Sequence, residues 1–165
     1  MAAPGRLAVD AIFRLMQGKT GLPAVVDSLR QTGGADILPM LGEQITRDFA
    51  SIDMADESPK TKYPTVSIFC ERLSNTLNEK FRQFAGKVDV TVEIRVSHDH
   101  LAPLLESLHW YVEAVTDVLD AARGEVAEGL YFGGKYDVQF TGAKKGGRRY
   151  VQCARVTAEL YVSTP

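Results

Sequence analysis

Nowhere in its 165 residues does this chain hold an apolar run of the roughly 18 residues that a membrane-spanning helix needs. Residues 1–16 are interrupted by Arg6, Asp10 and Arg14, so the apolar middle of a secretory signal is missing as well. Cysteine is scarce: Cys70 and Cys153 stand alone, with no C-x-x-C. That excludes a disulfide framework and gives no thiol-based zinc or redox motif, so two buried thiols in a reducing cytoplasm are expected. Neither sign of charge dominates, because 19 Lys and Arg face 21 Asp and Glu for a formal net charge of -2. A general nucleic-acid binder carries a basic excess over the whole domain; here only a local basic patch remains open. A dinucleotide fingerprint, a P-loop and a nucleophile elbow are all missing, as are internal repeats and low-complexity tracts.

What is present is ordinary globular material, 45% hydrophobic and 24% charged. The length suits one domain with a real core. Three parts are expected within 1–165: a helical segment over 1–52, an exposed loop over 53–62, and a sheet–helix core over 63–165. Pro4 opens a helical pattern in which Leu7, Ala8, Ala11, Ile12, Leu15 and Met16 recur at helical spacing, and Gly18 ends it. A second short helix is expected from Pro23, with Gly33-Gly34 as its stop. Leu41, Ile45 and Phe49, four apart, suggest another turn or two of helix. The charged stretch DMADESPKTK (53–62) has no apolar periodicity and reads as loop.

From Tyr63 the pattern changes to strands. Val66, Ile68 and Cys70 alternate with Ser67, Phe69 and Glu71. In the clearest strand, 87–97, Val88, Val90, Val92, Ile94 and Val96 form one face, and Lys87, Asp89, Thr91, Glu93, Arg95 and Ser97 the other. A long helix follows. Leu101, Leu104, Leu105, Leu108, Val112, Val115, Val118, Leu119 and Ala122 mark its stripe, with Asp99 as N-cap, Pro103 in the first turn and Gly124 as stop. Strand and helix both reach about 35 Å, which lets the helix cover the valine row from end to end. Tyr136, Val138 and Phe140, a turn over 141–149, and the row Ala154, Val156, Ala158, Leu160 and Val162 make a hairpin. The expected fold is therefore α+β: an antiparallel β-sheet, a long helix in the C-terminal half packed along one face, a C-terminal β-hairpin, and short N-terminal helices.

Candidate chemistry is sparse. His98-Asp99-His100 offers two imidazoles that diverge at a helix start and no third ligand, so a capping segment explains it as well as a metal does. Ser97, His98 and Asp99 are adjacent, whereas a nucleophilic triad needs its base between nucleophile and acid in space. Gly124, Gly129, Gly133 and Gly134 read as turn residues. Lys144, Lys145, Arg148 and Arg149 form the one concentrated basic site: a solvated turn, or a tip that touches phosphates or an acidic protein. No aromatic lies within the tip to stack on bases. The face carrying Lys87, Asp89, Glu93 and Arg95 either meets water or pairs with charges on a neighbouring subunit. His109 and Trp110, off the main stripe, form a contact surface or half-exposed packing, with surface contact favoured for Trp110. No catalytic residue, cofactor or metal is expected.

From Tyr63 onward the chain resembles the tail-terminator, or tail-completion, proteins of long-tailed bacteriophages. The stretches that carry the likeness are YPTVSIFCERLSN, EKFRQFAGKVDVTVEIRVSHD, LHWYVEAVTDVL, GLYFGGKYDVQF and, after a Gly-Gly hairpin, VQCARVTAELYV. The likeness lies in element order and sequence texture, not in any catalytic signature, and does not extend to the first 55 residues. It implies a small α+β structural subunit that forms a ring, usually a hexamer, in the tail or neck of the virion after assembly in the host cytoplasm. Such a ring caps the tail-tube protein and docks the head-side connector. On that footing Lys144, Lys145, Arg148 and Arg149 are candidate contacts to tube, connector or DNA, and residues 53–62 a second. The alternative kept beside it is a small nucleic-acid- or ligand-binding module that uses the basic hairpin tip.

Overall fold

The computed structural model of the chain describes residues 3–47, 62–76 and 84–164. Helix α1 (Pro4–Gln17) carries Pro at its start, where the missing N–H costs nothing, and buries Ala8, Ala11, Ile12 and Met16. Helix α2 (Leu22–Gln31) buries Leu22 and Val26 and ends at Thr32. The helix expected around Leu41 and Ile45 is not formed. A single 3-10 turn over Gly42–Gln44 leads into a two-residue strand, β1 (Ile45–Thr46), while Phe49 and residues 53–61 lie outside the described residues. Gly42 interrupts the pattern, and the Gln44 side chain accepts from the Leu41 N–H at 2.7 Å, which closes a tight turn instead.

The sheet runs in the order β1-β2-β3-β7-β5-β4, with β6 paired to β7. Its long strands are β2 (Thr65–Asn75), β3 (Phe84–His98), β5 (Leu130–Phe140) and β7 (Arg149–Thr164); β4 (Gly124–Ala127) and β6 (Lys144–Gly146) are short. β2–β3, β3–β7, β5–β7, β4–β5 and β6–β7 are antiparallel. The β1–β2 pair is parallel, so the expectation of a purely antiparallel sheet is corrected at that edge. A strand reached through a connection as long as residues 47–64 is free to return in the same direction. β3 is longer than the alternation 87–97 indicates, because β7 pairs with it from Phe84 to His98.

Helix α3 (Leu101–Ala121), in the middle of the chain, packs against β3 and β7, and α1 against β2 and β3. Leu104, Leu108, Val115 and Leu119 share one buried cluster with Val88, Val90, Val92, Ile94 and Val96. Three details of this helix differ from the sequence reading. Its first residue is Leu101, preceded by His100 with no side-chain cap, and Asp99 instead binds Arg149. It stops at Ala121, three residues before Gly124, which opens β4 at φ +111°. Leu101 and Leu105 are exposed, and Tyr111 and Ala114 take their place in the core. The buried arc is shifted because the chain segment around Leu38 covers the flank that carries Tyr111, whose hydroxyl donates to the Leu38 carbonyl at 2.7 Å.

Candidate partner surfaces

The polar face of the sheet is not the open charged surface that its alternation suggests. β3 lies between β2 and β7, so each of its polar side chains has neighbours on both sides. Glu93 is 1% exposed and Arg95 4% exposed. Glu93 Oε1 accepts from Arg95 Nε at 2.6 Å, and Oε2 accepts from Arg155 Nε at 2.7 Å. Arg155 stands opposite Glu93 in the β3–β7 register and lies over the Phe69 ring. One carboxylate thus holds two guanidiniums within the protomer. The next layer joins hydroxyls to a carboxylate: Thr91 donates to Glu71, and Thr157, 2.9 Å from the Thr91 hydroxyl, donates its one proton to that hydroxyl or to the same carboxylate. Glu93 and Arg95 therefore belong to the interior, and the expectation that they meet water or a neighbour's charges is corrected. Buried opposite charges persist only when paired and hydrogen-bonded, which this arrangement supplies.

Lys87 and Asp89 sit further along the same face, nearer the solvent. Lys87 Nζ lies 3.2 Å from Glu159 Oε1, and Lys135 Nζ lies 3.6 Å from Oε2 of the same carboxylate. The hydrogen bond with Glu159 raises the Lys87 pKa, and the same bond lowers that of Glu159. Asp89 shifts the other way. Desolvation, then repulsion from Glu159 across the strand pair, raises its carboxyl above the usual range.

The basic residues are split by the hairpin geometry. β6 pairs Lys144 with Val151, Lys145 with Tyr150 and Gly146 with Arg149, leaving Gly147-Arg148 as the two-residue turn. Gly147 has φ +62°, the positive value that the first central position of a type II′ turn requires. Lys144, Lys145 and Arg148 are exposed at this tip. Arg149 is drawn back to Asp99 at 3.1 Å, tying the base of the tip to the start of α3. The turn is thus much shorter than the 141–149 segment suggests.

Trp110 is half-buried and packs against the core cluster, with one side along a shallow groove shared with Leu105, Glu106 and His109. His98 and His100 have ring centroids 5.9 Å apart, and His98 Nδ1 accepts the His100 backbone N–H at 2.9 Å, a local turn contact ahead of α3. Among the described residues no three His, Cys, Asp or Glu side chains converge as metal ligands. A cleft of about 450 Å³ beside His98 is lined by Arg30, Asp36, Tyr63, Ser107, Tyr111 and Arg149. It mixes both signs of charge. Among the described residues no helix is long and apolar enough to cross a membrane.

Sequence reasoning missed Glu71, Arg155, Thr157 and Glu159 as partners in the polar layers. Their alternation was visible, but which of them meets Glu93 or Lys87 depends on a strand register set between distant segments. No protein-family model matches this chain, and no curated protein matches it.

Proposed function

We propose that this chain is a structural virion protein of a long-tailed bacteriophage: a tail terminator whose copies form a hexameric ring that caps the tail tube and joins it to the head-side connector. The observation that carries the reading is where the resembling stretches fall. They build β2, β3, α3, β5 and β7, the four long strands and the longest helix of the described residues. A ring subunit needs a rigid body of this kind and loops that reach neighbours above and below. The internally paired Glu93–Arg95–Arg155 set supports rigidity, and the exposed tip at Lys145 and Arg148 supports axial contacts.

The test adds purified protein to polymerising tail-tube protein. We expect tubes to stop growing and negative-stain images to show a ring at one end, with six-fold averages matching a hexamer. Tubes that elongate unchanged, with no terminal density, remove the reading.

The exposed Lys144, Lys145 and Arg148 favour a second reading, a module that grips phosphates through its tip. Three phosphate contacts give a log–log salt slope of about -3 on duplex DNA. Binding without salt dependence, or none at all, ends that alternative.

A further inference from the structure

The geometry points to a second copy of this chain as the occupant of two open sheet edges, β5 of one copy receiving β2 of the next. β4 pairs with β5 only from Leu130 to Phe132, so no described strand runs along the outer side of residues 133–140. The Thr141 N–H donates to the Cys153 carbonyl at 3.0 Å, so in this antiparallel register the N–H groups of Tyr136, Val138 and Phe140 point away from β7. At the opposite edge β1 covers β2 only at Val66 and Ser67. There the Thr76 N–H donates to the Ala85 carbonyl at 2.8 Å, which turns the Leu73 N–H outward. Exposed edges are usually blunted by proline or an inward-pointing charge. Residues 136–140 carry no proline, and their side chains on the helix-covered face are Tyr136, Val138 and Phe140.

Three further observations select another copy over an unrelated strand. β2–β3, β3–β7 and β7–β5 are all antiparallel, so β2 and β5 run in opposite directions. A second copy set beside β5 through its β2 continues the alternation with its helices on the same face. The open stretches lie at opposite ends of the sheet, since the registers put Val138 level with Ile68 and Phe132 level with Leu73, so the next copy is displaced along the strand, clear of β1 and β4. In that setting Val138 (37%) and Phe140 (38%) meet Leu73 (49%), all on the helix-covered face. The flanking helices also complement each other in charge. The groove along α3 beside β5 carries Glu106 and Glu113, and the groove between α1 and β2 carries Arg6, with Arg47 already bound to Asp10. Joining two different patches in this way is a heterologous contact, which closes into a ring when the rotation between copies permits. The proposal rests on the ring-subunit reading for that closure.

The test blocks each edge separately. Val138→Pro removes an outward N–H and leaves the β7 ladder intact, with Val138→Lys as its substitute if the proline variant melts early. Leu73→Asp places a charge at the other edge. By sedimentation, we expect the wild-type chain to assemble beyond a dimer and each variant to fall to the protomer mass. An equimolar mixture of the two variants should recover a dimer and nothing larger, because one good pair of edges remains. Wild-type protein that stays monomeric, variants that assemble as wild type does, or a mixture that stays monomeric would overturn the pairing. Assembly that depends on both edges but leaves tail tubes growing keeps the pairing and removes the tail-terminator reading.

Discussion

At the residue scale the deciding group is Glu93. Its two oxygens are committed to Arg95 and Arg155, and Glu93 and Arg95 are both buried. Breaking a buried pair by removing one partner costs 3 to 5 kcal/mol, roughly, because the other charge is stranded. Arg155 is partly exposed and recovers some hydration. We therefore expect Glu93→Gln to destabilise the fold by about 3 kcal/mol in urea titrations, with no comparable loss for Glu106→Gln on the exposed side of α3. The alternation of β3 announced two faces but not that both are covered, since burial of the polar face comes from Arg155, Thr157 and Glu71 on neighbouring strands. Tyr111 gives a second expectation. Its burial pushes the phenol up to about 12. A folded-state pKa above the unfolded value of about 10 means the contribution is complete below pH 10 and is lost as pH rises from 10 to 12. Tyr111→Phe should cost about 1 kcal/mol at neutral pH through the lost bond and should flatten the alkaline part of the stability profile measured by thermal melts between pH 9 and pH 12.

At the scale of elements, the sequence spoke clearly where periodicity was long. The 21 residues of α3 and the 15 of β3 were legible because many positions repeat the same signal. The two-residue β1 and four-residue β4 hold too few positions to show any period, and the parallel β1–β2 pair lies beyond any local pattern. Within α3 the buried arc is shifted from the apolar stripe of the sequence. Leu105 and Leu108 belong to one sequence pattern, yet Leu108 is fully buried while Leu105 lies along the outer groove. Leu108→Ala should cost about 3 kcal/mol, and Leu105→Ala less than about 0.5 kcal/mol, a contrast that paired denaturation curves will show. The turn between β4 and β5 offers a backbone counterpart. Gly129 has φ +72°, and its carbonyl accepts the Ser163 N–H at 2.9 Å. An alanine there carries a left-handed penalty of about 1 to 2 kcal/mol, added to the approach of its Cβ to the Ser163 carbonyl.

At the scale of the whole molecule, the proposed contact surfaces occupy different places, and that separation can be measured. The open β5 and β2 edges lie at the two sides of the sheet, whereas the Gly147-Arg148 turn lies beyond the end of the β5–β7 pairing. None of this arrangement was readable from the chain, because an edge exists only once every strand has found its neighbours. The clustered charges at Lys144, Lys145, Arg148 and Arg149 were readable, since a two-residue turn keeps its basic residues together in space; the retreat of Arg149 to Asp99 was not. Charge reversal at Lys145 and Arg148 should therefore leave folding stability within about 0.5 kcal/mol and leave the assembled mass by sedimentation unchanged. The same double variant should weaken any docking of an acidic partner, whether tube protein, connector or DNA, and reduce its salt dependence. If the reversal instead disperses the assembly to protomers, the tip itself lies between copies, and the edges at Val138 and Leu73 are not the surfaces that hold the ring together.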